Sequence, residues 1–187
     1  MKPDRRVQRT RMLLQESLVD LIIECGYENI TVQDILERAN CGRSTFYTHF
    51  SNKEDLLLGG FEAFNDALPD SIFPLPQDVT TYVDFGHALF LHVEENKQLA
   101  RAMFGSHVWS VVSNHLRNTL LIYARKWIER YVKPEEKLVP AEALAQYITS
   151  ALLGLLMWWV GQDFPYTADK MNAMLSRLIL PGLDNIY

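Results

Sequence analysis

The stretch from Arg43 to Phe50 sets polar residues around two aromatic ones. Phe46 and Phe50 are four residues apart, so on a helix both face the same side. The residues that then lie on other faces are Arg43, Ser44, Tyr47 and Thr48. An arginine can donate two hydrogen bonds to a guanine edge, and hydroxyl groups can contact bases or phosphates. The stretch therefore predicts a helix that reads nucleic acid, with a solvated helical face over a normal core as the alternative.

The residues around this helix predict the elements that position it. Thr31 and Asp34 form a capping-box pattern that opens a short helix lined by apolar residues. Asn40-Cys41-Gly42 then predicts a tight turn, because Asn and Gly accept left-handed backbone angles at little cost. A second capping pattern, Ser51 to Glu54, opens the next helix. Two short helices joined by a tight turn are the arrangement that places the second helix in a DNA major groove.

These same residues resemble the TetR family of bacterial transcriptional regulators. The family pattern is T-x-x-x-I, then A-G-V-S-x-x-T-[LF]-Y-x-H-F, then K-[ED]-x-L. The matching stretches here are Thr31–Ile35, Ala39–Phe50 and Lys53–Leu56, which together span 26 residues without a gap. The sequence departs from the pattern at Asn40, where Gly is usual, and at Gly42, where Ser usually caps the recognition helix. Both replacements keep the turn possible, and the cap loses about a few tenths of a kcal/mol.

The resemblance implies roles for the matching positions. Phosphate contacts are implied for Thr31, Thr45, Tyr47, His49 and Lys53, and base contacts for Arg43, Ser44 and Thr48 together with Tyr47. His49 is equally well explained as a local hydrogen-bonded structural residue. Lys53 opens a helix, which is an unfavourable place for a cation unless an anion is near, and a phosphate would supply that anion.

The whole chain is predicted to be all-α, with about nine helices. Pro69, Pro74 and Pro76 interrupt the helical pattern and mark a boundary. We expect a three-helix DNA-binding domain over residues 1–68, with the helix-turn-helix at about 30–50, and a C-terminal helical bundle over 77–187. The predicted helices cover about 5–24, 31–39, 43–49, 53–68, 79–95, 99–104, 107–131, 140–161 and 167–180.

The C-terminal part is expected to dimerise and to bind a ligand. The resemblance implies a homodimer in which the last two helices, 140–161 and 167–180, pair with their copies. Residues 151–160 are apolar on all sides, so both faces need covering, and Gly154 allows a close helix approach. The candidates for a small-molecule pocket are Phe85, Leu89, Met103, Phe104, Trp109, Tyr123, Trp127 and Tyr147, with His87, His92, His107 and His115 as polar groups. Ordinary core packing is the alternative for each aromatic residue.

Charge and composition limit the classes of partner. The net charge is −5, yet five of the eight Lys and Arg residues before residue 54 lie within residues 2–11, forming a local basic arm. The two cysteines suggest no disulfide scaffold, and the histidine spacing suggests no metal site. No cofactor is expected. The start of the chain does not look like a secretion signal, and the apolar run 148–160 is too short to span a bilayer, so a cytoplasmic location away from the membrane is predicted.

The functional hypothesis is a ligand-responsive repressor that binds a palindromic double-stranded DNA operator as a homodimer and is released by a small-molecule effector. An all-helical enzyme is one rival, but no phosphate-binding loop, G-x-S-x-G or H-E-x-x-H motif is present. The other rival is an adaptor that keeps the helix-turn-helix fold without binding DNA. Arg43, Tyr47 and Lys53 argue against an adaptor, because their positions suit bases and phosphates and serve no evident packing need.

Overall fold

The computed structural model describes residues 5–67, 81–131 and 139–184, and within these ranges all regular structure is helical. The helices are α1 (Arg5–Cys25), a short 3-10 helix (Tyr27–Asn29), α2 (Val32–Arg38), α3 (Arg43–His49), α4 (Lys53–Ala67), α5 (Thr81–Glu95), α6 (Lys97–Met103), α7 (His107–Tyr131), α8 (Ala141–Gly161) and α9 (Ala168–Asp184). The predicted all-α fold is confirmed. The proline-rich boundary at 69–76 lies outside the described residues.

Local capping decides where the N-terminal helices begin. Thr31 and Asp34 form the capping box that the sequence predicts at the start of α2. At α4 the predicted pair is wrong by one residue. Because α4 begins at Lys53, its cap is Asn52, whose side-chain oxygen accepts from the amide of Asp55 at 2.8 Å, while the Asp55 carboxylate accepts from the amide of Ser51 at 2.7 Å. Asn52 thus caps the N3 amide as in a capping box, whereas the N3 carboxylate bonds to the residue before the cap and not to the cap itself.

Contacts divide the chain into two compact units, which are described separately. Unit 1 comprises Met1–Ala67 with Arg101–Val112, and unit 2 comprises Leu68–Ala100 with Ser113–Tyr187. In unit 1, α1 packs against the 3-10 helix, α2 and α4. Its buried side chains include Leu14, Leu18, Ile22, Ile35, Phe46 and Leu56. This core holds the helix-turn-helix.

Unit 2 is built on a close approach of α5 to α9. A Cβ atom placed on Gly86 in α5 would lie 2.5 Å from a methyl group of Leu175 in α9 and 3.6 Å from one of Leu152 in α8. A side chain at this position would displace the fully buried Leu175, so glycine allows the two helices to approach as closely as they do. Trp159 of α8 is fully buried beside Phe90 of α5, with their rings 5.6 Å apart. The fit between these three helices forms the core of the unit.

Helix α8 is longer than the apolar run that the sequence suggests. Over Ala141–Gly161 it reaches a mean hydropathy of 1.5 in an 18-residue window, which by length and composition would suffice to cross a membrane. Half of that window is buried inside the protein itself. The burial is typical of a core helix, which explains the composition without a bilayer.

Candidate nucleic-acid interface

The turn between α2 and α3 has the geometry that the sequence predicts. Asn40 adopts a left-handed conformation with φ 47°, and the amide of Cys41 donates to the carbonyl of Leu36 at 3.0 Å, which ends α2. Gly42 is the N-cap of α3 with an extended backbone, and no side chain caps that helix. The left-handed residue of this turn is thus the asparagine and not the glycine.

Two phenylalanines fix α3 against unit 1. Phe46 is fully buried and Phe50 nearly so, with their ring centroids 6.0 Å apart. The residues left exposed on α3 are Arg43, Ser44, Thr45, Tyr47 and Thr48. Tyr47 exposes 54% of its surface even though its ring edge packs on Phe46. The structure therefore brings together on one short helix all the side chains for which base contacts are predicted.

Arg43 is steadied by a residue that the sequence reasoning missed. Its guanidinium donates to the side-chain oxygen of Gln33 in α2 at 3.2 Å, and both side chains are exposed. A guanidinium carries five N–H donors, so this bond leaves ample capacity for a ligand. Gln33 lies within the T-x-x-x-I stretch, but only the packing of α2 beside α3 reveals that it orients Arg43. The pair forms a shallow depression with Asn40 and Gly42 at the helix-turn-helix.

Two predicted hydroxyl contacts already have internal partners. The Thr31 hydroxyl donates to the Asp34 carboxylate at 2.7 Å, and the Thr31 amide donates to the same carboxylate at 2.8 Å. These two bonds hold the pKa of Asp34 below its usual value, the hydroxyl bond contributing most. The Thr48 hydroxyl donates to the carbonyl of Ser44 at 2.9 Å. A hydroxyl has one hydrogen to donate, so either group must release its internal partner before it donates to DNA. Their roles in DNA contact remain predictions.

Lys53 does serve a packing need, which corrects the sequence argument. Its ammonium donates to the carbonyl of Tyr27 at 2.9 Å and to that of Ile30 at 2.8 Å, and it lies 4.3 Å from the centre of the Tyr27 ring. Two carbonyl oxygens and a ring thus surround the charge for which the sequence suggested a phosphate. Burial is the main reason that the pKa of Tyr27 is raised to about 12.

His49 and the arginines of the basic arm differ in how far their side chains are exposed. His49 is half-buried with its ring edge near Phe50 at 6.4 Å, which fits the structural alternative as well as a phosphate contact. On α1, Arg9 is exposed, whereas the guanidinium of Arg11 lies 5.2 Å from the centre of the Phe50 ring. Lys2 lies outside the described residues. Arg6 is exposed as well, so the described side chains of the basic arm supply two exposed arginines, Arg6 and Arg9, and one, Arg11, that packs on the core.

The predicted pocket residues are divided between the two units. Leu89 and Trp127 are buried in the core of unit 2, with Tyr123 packed against that core, while Tyr147 is 53% exposed on α8. Three others belong to unit 1 instead: Met103, Phe104 and Trp109. The side chain of Phe85 lies outside what the structure describes. Leu89, Tyr123 and Trp127 share the core of unit 2, and the pocket itself stays a prediction.

The four histidines that were predicted as polar groups of the pocket lie in different settings. His87 bonds to the Asp169 carboxylate at 2.8 Å, and burial lowers the pKa of His92. His107 and His115 belong to different units. Among the described residues, no three His, Cys, Asp or Glu side chains come together in a way that could hold a metal ion.

Comparisons with known proteins agree with this geometry. Residues 16–59 match the sequence family described as bacterial regulatory proteins of the TetR family, and residues 83–181 match the family described as the transcriptional regulator C-terminal region. The HTH-type transcriptional regulator YxbF of Bacillus subtilis is 49% identical over 55 residues, which cover 29% of this chain and 14% of that protein. The dhaKLM operon transcriptional activator DhaS of Lactococcus lactis is 27% identical over 131 residues, covering 68% of this chain and 63% of its own.

A solved structure extends the likeness to nearly the whole chain. A TetR-family transcriptional regulator from Syntrophomonas wolfei superimposes with a TM-score of 0.74 at 24% identity, covering 91% of this chain and 93% of its own. At that identity the likeness concerns the fold. The two sequence relatives are matched over less than two thirds of their own lengths.

Proposed function

The chain belongs to the TetR family of transcriptional regulators, with a DNA-binding helix-turn-helix, and we propose that it is a ligand-responsive repressor that binds a palindromic operator as a homodimer. The observation that carries the proposal is the exposed face of α3. An α-helix with its side chains is about 10–12 Å across, which fits a major groove about 12 Å wide, and the seven residues of α3 place this face over about two turns. Phe46 and Phe50 anchor the helix from behind, so Arg43, Ser44 and Tyr47 are free to meet base edges and phosphates.

Dimerisation is proposed through α8 and α9. Tyr147, Gly154 and Trp158 are exposed at helical spacing along α8, and a Cβ added to Gly154 would meet no atom within 4 Å. On α9, Leu178 exposes 62% of its surface. An apolar helix face of this kind is stabilised when a second copy covers it, and open space above a glycine permits a close approach.

The connection between these two helices holds them at a fixed angle, which supports their acting as one surface. The indole of Trp159 donates to the carbonyl of Tyr166 at 2.8 Å, and the Phe164 ring lies 4.9 Å from the Trp159 ring. Asp163 and Phe164 both adopt left-handed backbone angles, with φ 57° and 60°. Such angles are costly for non-glycine residues and persist only where the surroundings enforce them.

Two-fold symmetry would present two α3 helices to the DNA about 34–36 Å apart, one turn of B-DNA, and the operator should then be an inverted repeat. Effector response requires a ligand that binds the DNA-free and DNA-bound states with different affinity, typically by ~1–3 kcal/mol. We propose that the effector binds beside Leu89, Tyr123 and Trp127, the predicted pocket residues that share the core of unit 2.

We also propose that the protein acts in the cytoplasm, because a regulator must reach its operator there.

Activation is the second candidate for the direction of control. The relative DhaS is named as an operon activator, and it matches 68% of this chain. A reporter gene placed behind the operator separates the two. Repression predicts that expression rises when the chromosomal copy is deleted, and activation predicts that expression falls.

Selection of bound sequences from a random DNA pool tests the proposal itself. The purified full-length protein at a stated salt concentration should enrich an inverted repeat. Enrichment of no sequence by a protein that is stably dimeric would contradict the proposal and favour the adaptor that keeps this fold without reading DNA.

A further inference from the structure

Lys53 has two of its three hydrogen-bond donors engaged within unit 1. Its ammonium has three N–H donors, of which two meet the carbonyls of Tyr27 and Ile30 at 2.9 and 2.8 Å. The Tyr27 ring lies 4.3 Å away, within the range of a cation–π interaction. The side chain is half-buried, and two carbonyls and a ring already hold its ammonium in place, so moving the ammonium towards a phosphate would cost these contacts.

The segment that Lys53 holds sets the start of α2. Tyr27 opens the 3-10 helix after α1, and Ile30 directly precedes Thr31, the N-cap of α2. Tyr27 and Ile30 are both buried, with 4% and 2% of their surfaces exposed. Helix α2 has only seven residues, and helices this short depend on tertiary contacts for their stability. Anchoring Ile30 therefore anchors the first turn of α2.

A displacement of α2 would be felt at the base-reading surface. Gln33 lies in the first turn of α2, and its side-chain oxygen accepts the bond from Arg43 on α3. A continuous set of contacts thus leads from Lys53, through Ile30 and the start of α2, to the guanidinium of Arg43. The contacts give Lys53 a route to the reading surface that needs no contact with DNA.

We propose that Lys53 is a positioning residue for sequence reading, which holds the connection before α2 and so orients Gln33 and Arg43, and does not neutralise a DNA phosphate. The proposal rests on the proposed DNA-binding function. It differs from the phosphate contact that the family resemblance implies for Lys53. The two roles predict different salt dependence, because each phosphate neutralised by a cation contributes about 0.9 to the slope of log affinity against log salt.

The first test uses the free protein and needs no DNA. In hydrogen exchange of Lys53→Met, the amides of residues 30–36 should exchange at least about tenfold faster than in the wild type. The matched control is Lys126→Met, since Lys126 is an exposed lysine 5.8 Å from the Tyr123 ring in unit 2. Unchanged exchange in Lys53→Met would overturn the proposal whether or not the protein binds DNA.

The second test measures binding of Lys53→Met to the selected operator and to a scrambled duplex over a range of salt concentrations. We expect about tenfold or greater loss on the operator, little change on the scrambled duplex, and a salt slope equal to that of the wild type. A slope smaller by about 1.8, which is about 0.9 for each of the two Lys53 residues of a dimer, with equal loss on both duplexes would show a phosphate contact and overturn the proposal. A lower melting temperature with unchanged operator affinity would show a purely structural residue and also overturn it.

A wild-type measurement covers the case in which Lys53→Met does not fold. An amine-reactive reagent should label Lys53 at least about tenfold more slowly than Lys126 in the free protein, and operator DNA should add no further protection. Rapid labelling that DNA suppresses would overturn the proposal. A wild-type protein that prefers no duplex would instead refute the proposed function, while the hydrogen exchange and labelling of the free protein still decide the role of Lys53.

Discussion

Replacing Leu178 by glutamate is expected to dissociate the dimer. Leu178 lies on α9 with 62% of its surface exposed in the single chain, and Tyr147 and Trp158 on α8 are exposed by 53% and 45%. If a second copy covers this surface, the leucine is buried in the dimer, and a glutamate there would lose that burial and add a charge to an apolar contact. Dimerisation then weakens without damage to the fold of the protomer, because the side chain contributes little to the core of unit 2.

The size of the effect follows from the exposed fraction. Full burial of a leucine side chain contributes about 1.5–3 kcal/mol, so burying 62% of Leu178 contributes about 1–2 kcal/mol. A two-fold interface contains the residue twice, which gives about 2–4 kcal/mol per dimer. At about 1.4 kcal/mol for each factor of ten, the dimer Kd should rise about 30-fold to 700-fold. Removal of the apolar group alone accounts for this range, and the new charge adds to it.

Sedimentation velocity over a dilution series measures that Kd. Ile122→Glu is the matched control, because Ile122 is 51% exposed on α7 of the same unit but lies on neither α8 nor α9. The control should leave Kd within about twofold of the wild type. Equal Kd values for Leu178→Glu and the wild type, with both proteins folded by circular dichroism, would refute the assignment of α9 to the dimer interface.

Two further predictions concern stability. Thr31→Ala removes the side-chain cap of α2 and should lower the free energy of unfolding by about 1 kcal/mol, which is about 2–4 °C in Tm for a chain of this length. Thr31→Ser should retain the cap and most of the stability. Equal losses of Tm for the two variants in thermal unfolding would contradict the capping role. The pKa of Glu142 is lowered to about 2, first by its hydrogen bonds from Arg125 and then by that from Gln146. A lowered carboxyl pKa stabilises the fold above the unfolded value of 4.5 and loses that contribution as pH falls towards 2. The denaturation midpoints of the wild type and Glu142→Gln should therefore differ most above pH 4.5 and converge towards pH 2, and a difference that is constant with pH would contradict the assignment.

The elements with strong local signals are those that the sequence predicts best. Helices α3 and α7 begin and end at the predicted residues, because Gly42 and the apolar stripe of α7 determine them locally. Helix α9 continues to Asp184 through Pro181, past the predicted end at 180. The exposed reading face of α3 was also predictable, since two phenylalanines at a spacing of four leave the other faces to solvent.

The partners of individual polar groups were not predictable, because they depend on tertiary placement. The carbonyls that hold Lys53 are more than twenty residues away in sequence, and no local pattern brings them to it. Gln33 and Arg43 meet only because α2 and α3 pack side by side. The pocket residues show the same limit: a stripe at helical spacing reveals which face is buried but not in which unit, and Phe104 and Trp109 belong to unit 1 while Leu89 and Trp127 belong to unit 2.

The central claim is that the exposed face of α3 reads base sequence, and Arg43→Ala tests it most directly. The measurement is the ratio of Kd for a scrambled duplex to Kd for the selected operator at one salt concentration, in the wild type and in the variant. One bidentate base contact contributes about 1–3 kcal/mol of discrimination, so each half-site should lose about 5-fold to 150-fold of its preference, at one base position. An unchanged ratio, or equal loss of affinity for both duplexes, would contradict the claim that Arg43 and the face around it read the operator.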